Sequence, residues 1–517
     1  MNAYTRLSLK LLDDIPRGAP RRGGIETRLD DHISPRAQFR DPATIIRSDI
    51  FKRSGGKLHL GVIGGTVETV KLPDGRVERH VMGGHGVSLG DDRHAATVAG
   101  SRSGKGRCVI VPTLLDYEGS VLATDPKAEL FNVTAERRAK GLGQRVVGLD
   151  PFGISGPHVA AYRGGFNPMT ILKPDSPTLI EDAGLIADAL VVPSGGDSHW
   201  DDSARNWLET LILHVATHDA YEGERNLVTM HRLLMRGAVA DGVSSYDALA
   251  TEMLGNDAAF GAVQEGASDF FDKPKEERGS VLSTARRHAK FLSYQAIQRV
   301  VSAHDFDLED LKRERLTLYL CLPAMRLGTC NRWLRLFVNL ALAAMERVPV
   351  KPVPPVLMCL DEFAILGHMQ TVENAIGQIA GFGVRLWPIL QDLTQLKALY
   401  RERWETFLGN AGVIQFFGNN DAFTLEWISK RLGKTSLIVT RRSEVSADSR
   451  ERQGVNGESW SLEVQDLMTL EEVSRFFARD DHLARQLVIR AGDDPIILQR
   501  CNYDTHELFK GKFHAER

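Results

Sequence analysis

Residues 97–112, TVAGSRSGKGRCVIVP, constrain this chain more than any other stretch. A short apolar run at 94–98 leads into a turn of small residues and then into a segment, 105–116, that can form a helix, although Pro112 is expected to kink it or end it early. Small residues let the backbone curl until successive N–H groups point inward, and the helix behind them adds its positive end, which makes a cradle for phosphate. Lys105 adds a point charge that reaches β- and γ-phosphates. The strict pattern is G-x-x-x-x-G-K-[ST]. Here Ala99 stands for the first Gly, and Gly106 stands for the hydroxyl residue that normally holds Mg2+. The candidate nucleotide-binding set is Gly100, Ser101, Arg102, Ser103, Gly104, Lys105 and Gly106. A Gly-rich turn with one Lys can also be purely structural, so the rest of the chain decides.

A nucleotide site of this kind needs a second strand, beside the first, that ends in a carboxylate. Residues 355–362, PVLMCLDE, fit: an apolar strand delivers Asp361 and Glu362 at its C-terminal edge, where ligands sit in open α/β folds. Asp361 is expected to hold Mg2+, through water, and Glu362 to polarise the attacking water. WPILQ at 387–391 places Gln391 at the end of another buried strand, suited to sense the γ-phosphate or orient water. The alternative is that Gln391 caps the helix starting near Asp392.

Strand and helix patterns alternate around these motifs, with strands at 120–125 and 144–150 and a polar-faced helix at 127–140. Apolar strands alternating with helices predict a mostly parallel sheet covered on both faces. Residues 178–310 have helical period almost throughout, and strands return at 316–323, 356–361, 384–391 and 412–419. The expected organisation is a basic, poorly packed arm at 1–53, a β-hairpin layer and the first part of an ATPase domain at 54–177, an all-α insertion at 178–310, and the second part with a closing segment at 311–517. Residues 433–463 read as a polar excursion. His199, Asp201 and Asp202 lie close together, but no second His stands at a ligand spacing, so they are expected to cap a helix beginning near Ser203.

Length is compatible with about three domains. The net charge of −3 excludes a globally basic nucleic-acid binder but not a local basic surface inside a pore. The longest apolar run, at 336–345, is too short to span a bilayer, and Asp13 and Asp14 interrupt any signal core. Five scattered cysteines make neither a disulfide frame nor a zinc site. These features predict a cytoplasmic protein.

Taken together, the motifs resemble one family, the type IV secretion coupling ATPases of the VirD4/TraG group of conjugation proteins. The resemblance rests on SRSGKGRCVIVPTLLDYEGSVLATDPKAEL with its Gly after the Lys, on LDEFAILGHM with Gly367, on GFGVRLWPILQDLTQLKALY, and on GNAGVIQFFGNNDAFTLEWISKRLG at 409–433. Trp200, Ala204 and Arg205 sit where the family's helical insertion begins. The resemblance covers roughly residues 85–510. It implies a RecA-like P-loop domain interrupted by an all-α insertion, assembled as a hexamer, with ATP and Mg2+ as cofactors. Members deliver relaxase-bound single-stranded DNA or protein effectors to a secretion channel. Carried over by position, Lys105 binds phosphate, Asp361 serves Mg2+, Glu362 is the catalytic acid and Gln391 the sensor. Asp125, Lys127 and Glu129 either lie at the nucleotide or form a structural ion-pair cluster.

Two departures from the family pattern stand out. The paired transmembrane helices common in the family are not seen in this sequence, so the expectation is either contact with the inner face of the membrane through a partner or the basic arm, or action free in the cytosol. An arginine supplied by the neighbouring subunit is also expected, with Arg385 and Arg431 as candidates. The alternatives are a cytosolic DNA translocase of the HerA/FtsK kind and a nucleotide-binding cargo adaptor that hydrolyses little.

Overall fold

The computed structural model describes residues 37–514 apart from 72–73, 76, 193–197, 237–238, 241–242 and 443–457. An 11-stranded sheet organises it. In chain order its strands are β1 (Leu58–Ile63), β2 (His85–Leu89), β3 (His94–Ala99), β4 (Val121–Asp125), β5 (Arg145–Leu149), β6 (Leu316–Cys321), β7 (Val356–Leu360), β8 (Val384–Leu390), β9 (Ala411–Phe417), β10 (Arg485–Arg490) and β11 (Ile496–Gln499). Across the sheet they run β2-β1-β11-β10-β9-β3-β8-β7-β4-β6-β5. Every neighbouring pair from β9 to β5 is parallel, and every pair from β9 to β2 is antiparallel.

The parallel strands are the continuous apolar runs of the sequence. β4, β7 and β8 are buried along their whole length, as strands covered on both faces must be. One face packs on a core that runs through the helix Leu327–Arg347 into the helical region. The other face buries Tyr117, Phe131, Tyr319 and Trp387. Polar groups inside the sheet are paired: Trp387 Nε1 donates to Thr97 Oγ1 at 2.9 Å, and that hydroxyl donates to Gln415 Oε1 at 3.0 Å. This link ties β8, β3 and β9 together next to the phosphate-loop strand.

Between β5 and β6, which are parallel neighbours, the chain makes a long helical excursion from Leu179–Leu190 to Gln295–Ser302. Trp207 stacks on Phe270 in its core, with ring centroids 3.7 Å apart, and Ala204 is buried beside them. A short hairpin, Val239–Ala240 with Val243–Ser244, interrupts the helices. Its long helix begins at Ser198 rather than near Ser203, so His199, Asp201 and Asp202 lie within its first turns and do not precede them. Asp201 Oδ1 instead lies 3.0 Å from His288 Nε2 of a neighbouring helix. Arg205 pairs with Glu209 and Asp188, while Trp200 is half-buried.

Two expectations about the N-terminal part need correction. The hairpin layer is not a separate layer: β1 and β2 extend the main sheet, and only Thr66–Lys71 with Val77–Met82 pair apart from it. β1 is buried throughout, so it cannot stand in solvent. The basic arm is packed from residue 37 onward. Asp41 caps the helix Pro42–Arg47, Ile45 and Phe51 are buried, and Arg40 pairs with Asp493. Arg21, Arg22, Arg28 and Arg36 lie outside the described residues. In the polar stretch, Lys434–Arg442 pairs with Glu458–Asp466, and 443–457 lie outside the described residues. Among the described residues no helix is long and apolar enough to cross a membrane.

Candidate active site

Strand β3 ends at Ala99, and the loop that follows is shaped by close backbone packing. Gly100 faces the backbone of Gly418, just beyond β9, with no room for a side chain. Arg102 and Gly104 take left-handed conformations, with φ of 57° and 90°. Ser103 is buried and its hydroxyl donates to the Gly100 carbonyl at 2.6 Å. Ser101 and Arg102 are exposed. The helix beyond opens with a π turn, Gly106–Ile110, and continues as Val111–Asp116. Cys108 N–H already bonds to the Gly104 carbonyl at 2.9 Å, so the donors that the curl of the loop leaves for a ligand are the amides ahead of it, around Lys105. Pro112 does not end this helix early. Val111 N–H bonds to the Gly106 carbonyl one residue earlier, and Pro112 falls in the first turn of the α segment, where no donor is needed.

Lys105 Nζ donates to Glu362 Oε1 at 2.7 Å and lies 3.5 Å from Asp361 Oδ1. Gln391 Nε2 donates to the other oxygen, Glu362 Oε2, at 3.1 Å. The phosphate loop, the acid pair and the glutamine thus meet at the C-terminal edge of the sheet. The strand order differs from expectation: β7 is not beside β3, because β8 lies between them. Two inter-strand steps are about 10 Å, a gap that Lys105 bridges and into which Gln391 projects. The glutamine does not cap the following helix. Asp392 does, accepting from Gln395 N–H at 3.0 Å, while Gln391 turns its amide to the acid.

The acid turn is held from several sides. Glu362 has a left-handed φ of 52°. Its N–H donates to Asp361 Oδ1 at 3.0 Å, and Thr124 Oγ1 donates to the Asp361 carbonyl at 2.8 Å. Arg335 Nη1 donates to the carbonyls of Leu366 and His368, both at 2.7 Å, pinning the segment behind the acids. Burial pushes the Asp361 carboxyl above the usual carboxylate range, and Lys105 opposes that shift. Arg500 does comparable work for the loop, with Nη1 on the Ser103 carbonyl at 3.2 Å. Sequence reasoning missed Thr124, Arg335 and Arg500. The one signal was a charged residue at the end of an apolar run, IILQR at 496–500.

Asp125 ends β4 and is buried. It accepts Phe131 N–H at 2.8 Å and so caps the helix Glu129–Glu136. Burial raises its carboxyl to about 7. Lys127 is exposed, Glu129 is half-buried, and no ion pair joins the three among the described residues. The ion-pair alternative is therefore not what the structure contains.

Arg385 cannot serve a neighbouring subunit. It lies at the start of β8, the opposite end from Gln391, and is buried, with its guanidinium on the carbonyls of Asp91 and Arg93. Arg431 is exposed in the last turn of the helix Ala422–Leu432. No group of three or more His, Cys, Asp or Glu side chains among the described residues is arranged to hold a metal ion by itself.

Comparison with known proteins agrees with this architecture. The model of the family described as type IV secretory system conjugative DNA transfer matches residues 57–515. The chain is 28% identical over 384 residues to the conjugal transfer protein TraG of Escherichia coli, covering 70% of this chain and 58% of that protein. It is 26% identical over 448 residues to the protein VirD4 of Agrobacterium fabrum, covering 83% of this chain and 61% of that protein. The chain thus spans about three fifths of the length of the curated relatives it matches. Among solved structures, the unbound bacterial conjugative coupling protein TrwBdeltaN70 superposes with a TM-score of 0.57 at 14% identity, over 79% of this chain and 84% of that one. The plasmid coupling protein TrwB in complex with ADP and Mg2+ gives a TM-score of 0.56 at 15% identity, over 79% and 85%. These likenesses establish a TrwB-like, RecA-type α/β fold. With the family model matching nearly the whole length, the chain belongs to the type IV secretory system conjugative DNA transfer family.

Proposed function

We propose that this protein is an ATP-hydrolysing motor that delivers conjugative DNA, as a relaxase-bound single strand, or protein cargo to a type IV secretion channel. The observation that carries the reading is the meeting of Lys105, Asp361, Glu362 and Gln391 at the C-terminal edge of parallel strands, below the amides of the 100–106 loop. The donor set fits a nucleoside triphosphate with Mg2+: grouped N–H donors and one ammonium for phosphate oxygens, and hard carboxylate oxygens for the cation. Bound ATP with Mg2+ supplies the phosphoryl group and the charge that activates it.

The chain's own residues do the rest by position. The 100–106 loop binds phosphate, and Lys105 turns its ammonium from Glu362 to phosphate oxygens. Glu362 Oε1 is then free to accept a proton from water, while Gln391 holds Oε2 and fixes the carboxylate plane. Asp361 would hold the cation. We further propose that copies of this chain form a hexameric ring with Arg431 directed at the next copy's site, and that contact with the cytoplasmic face of the inner membrane runs through a partner or the basic arm. Strand binding in such a ring is electrostatic and salt-sensitive.

The test is ATP turnover with and without single-stranded DNA. Wild-type protein is expected to hydrolyse ATP faster with DNA, and Lys105→Ala and Glu362→Gln to abolish that turnover. Unchanged turnover in both variants would refute the assignment, and nucleotide binding without turnover in the wild type would favour an adaptor.

A further inference from the structure

Gly106 occupies the position at which a phosphate loop normally presents a Ser or Thr hydroxyl to Mg2+. The structure shows what stands opposite that position. A Cβ built on Gly106 would meet Oε1 and Oε2 of Glu129, both at 3.9 Å, and nothing closer. Glu129 is half-buried, and among the described residues its carboxylate has no hydrogen-bond or ion-pair partner. It is the first residue of the helix Glu129–Glu136, which Asp125 anchors to the end of β4, and β4 pairs directly with β7. Glu129 is thus aimed at the loop by an element fixed to the strand that carries Asp361. The charges of Asp361 and Glu129 both act on the buried Asp125 carboxyl.

The geometry points to Glu129 as the residue that makes up for the missing hydroxyl: its carboxylate would help Asp361 to hold the nucleotide-bound Mg2+. This rests on the ATPase reading above and deepens it. Mg2+ binds oxygens at about 2.1 Å in an octahedron, so two adjacent ligands stand about 3 Å apart. A hydroxyl lies one bond beyond its Cβ, so a neighbouring ligand belongs between about 3 and 4 Å from that Cβ. The 3.9 Å from Glu129 to the Gly106 Cβ position meets this condition. Mg2+ at phosphates takes one or two carboxylates and keeps several waters, so no all-protein cage is required. The Gly at 106 and the Glu at 129 are then one device. At 3.9 Å the carboxylate of the next strand–helix unit is in ordinary contact with the Gly106 Cβ position, and it brings a full negative charge where a hydroxyl brings none.

Affinity for a fluorescent ATP analogue, measured with EDTA and with Mg2+ on the full chain, tests this without turnover. Wild type is expected to bind at least about tenfold more tightly with Mg2+. Glu129→Gln is expected to keep the EDTA affinity and lose most of the Mg2+ increment, and Gly106→Ser placed in that background to restore it by returning the hydroxyl. Mn2+ in place of Mg2+, followed by electron paramagnetic resonance, is expected to show weaker retention of the ion in Glu129→Gln. If Glu129→Gln does not fold, Glu129→Asp, which withdraws the carboxylate by one methylene, is expected to lose the increment in the same way. A full Mg2+ increment in the folded Glu129 variant would overturn the proposal. Absence of analogue binding by wild type in both conditions would instead overturn the ATPase reading beneath it.

Discussion

Gly100 and Gly418 pack backbone to backbone where β3 and β9 end: a Cβ on Gly100 would stand 1.9 Å from the Gly418 carbonyl oxygen. Gly418 has no room either, since its φ is +66° and its Cβ would stand 2.8 Å from that of Ser103. Neither partner is a flexible side-chain end, so the contact cannot be relieved cheaply. Gly100→Ala is therefore expected to destabilise the protein by about 1–3 kcal/mol and to spread the loop away from β9. Thermal unfolding and nucleotide affinity check this together. A variant with wild-type values in both would mean that the loop tolerates a side chain here.

The Lys105–Glu362 contact predicts that the two residues fail differently. Lys105→Ala removes the ammonium that phosphate must attract and is expected to weaken nucleotide binding itself. Glu362→Gln keeps a polar group beside Gln391 and is expected to bind nucleotide while turning over about 10²–10⁴-fold more slowly, the usual loss for a general base. Equilibrium binding and steady-state hydrolysis, measured on both variants, separate the roles. Equal loss of binding in both would assign Glu362 to structure.

The parallel strands and their terminal residues were legible because each is a continuous apolar run that ends in a polar group, and that pattern admits few other folds. The order of the strands was not. Nothing local in 355–362 or 384–391 states which of them lies beside β3, because that choice is made by packing of the connecting helices. The same limit hid the edge strands. β1 reads as a hairpin strand, and only its pairing with β11, more than 400 residues away, draws it into the main sheet. Arg385 shows the opposite failure. Its approach to the glutamine motif was visible in the sequence, but a strand side chain five residues from Leu390 lies about 17 Å from the site. Arg335 and Arg500 gave almost no signal, because each acts by donating to carbonyls, which no sequence pattern marks.

Arg385 is accordingly a clamp on the turn that precedes β3. Its guanidinium satisfies two carbonyls in a buried place. Arg385→Ala is expected to cost about 1.5–3 kcal/mol of stability while leaving turnover per folded molecule close to wild type. Arg431→Ala is expected to behave in reverse, with unchanged melting and with hydrolysis per molecule that is reduced and does not rise with protein concentration as the wild type's does. Chemical denaturation alongside turnover at several protein concentrations distinguishes the two. Wild-type hydrolysis by Arg431→Ala would leave that residue without the proposed role.

Asp125 gives the last prediction, on pH. Its carboxyl titrates at about 7 in the fold because burial disfavours the charge, with Asp361 and Glu129 adding to the effect, whereas an unfolded Asp titrates near 4. Between those values the folded protein holds the proton that the unfolded chain has released. By linkage, the contribution of this group is fully present below about pH 4 and is lost as pH rises through 7. Buried His94 and His214, both depressed to about 4, have the opposite slope over part of that range, so the raw stability curve does not isolate Asp125. The difference between Asp125→Asn and wild type does. Asn keeps an oxygen for the Phe131 N–H and cannot ionise, so the variant is expected to gain stability relative to wild type steadily from pH 4 to pH 7.5. Parallel denaturation curves across that window are the measurement, and a pH-independent difference would show that Asp125 is ionised throughout.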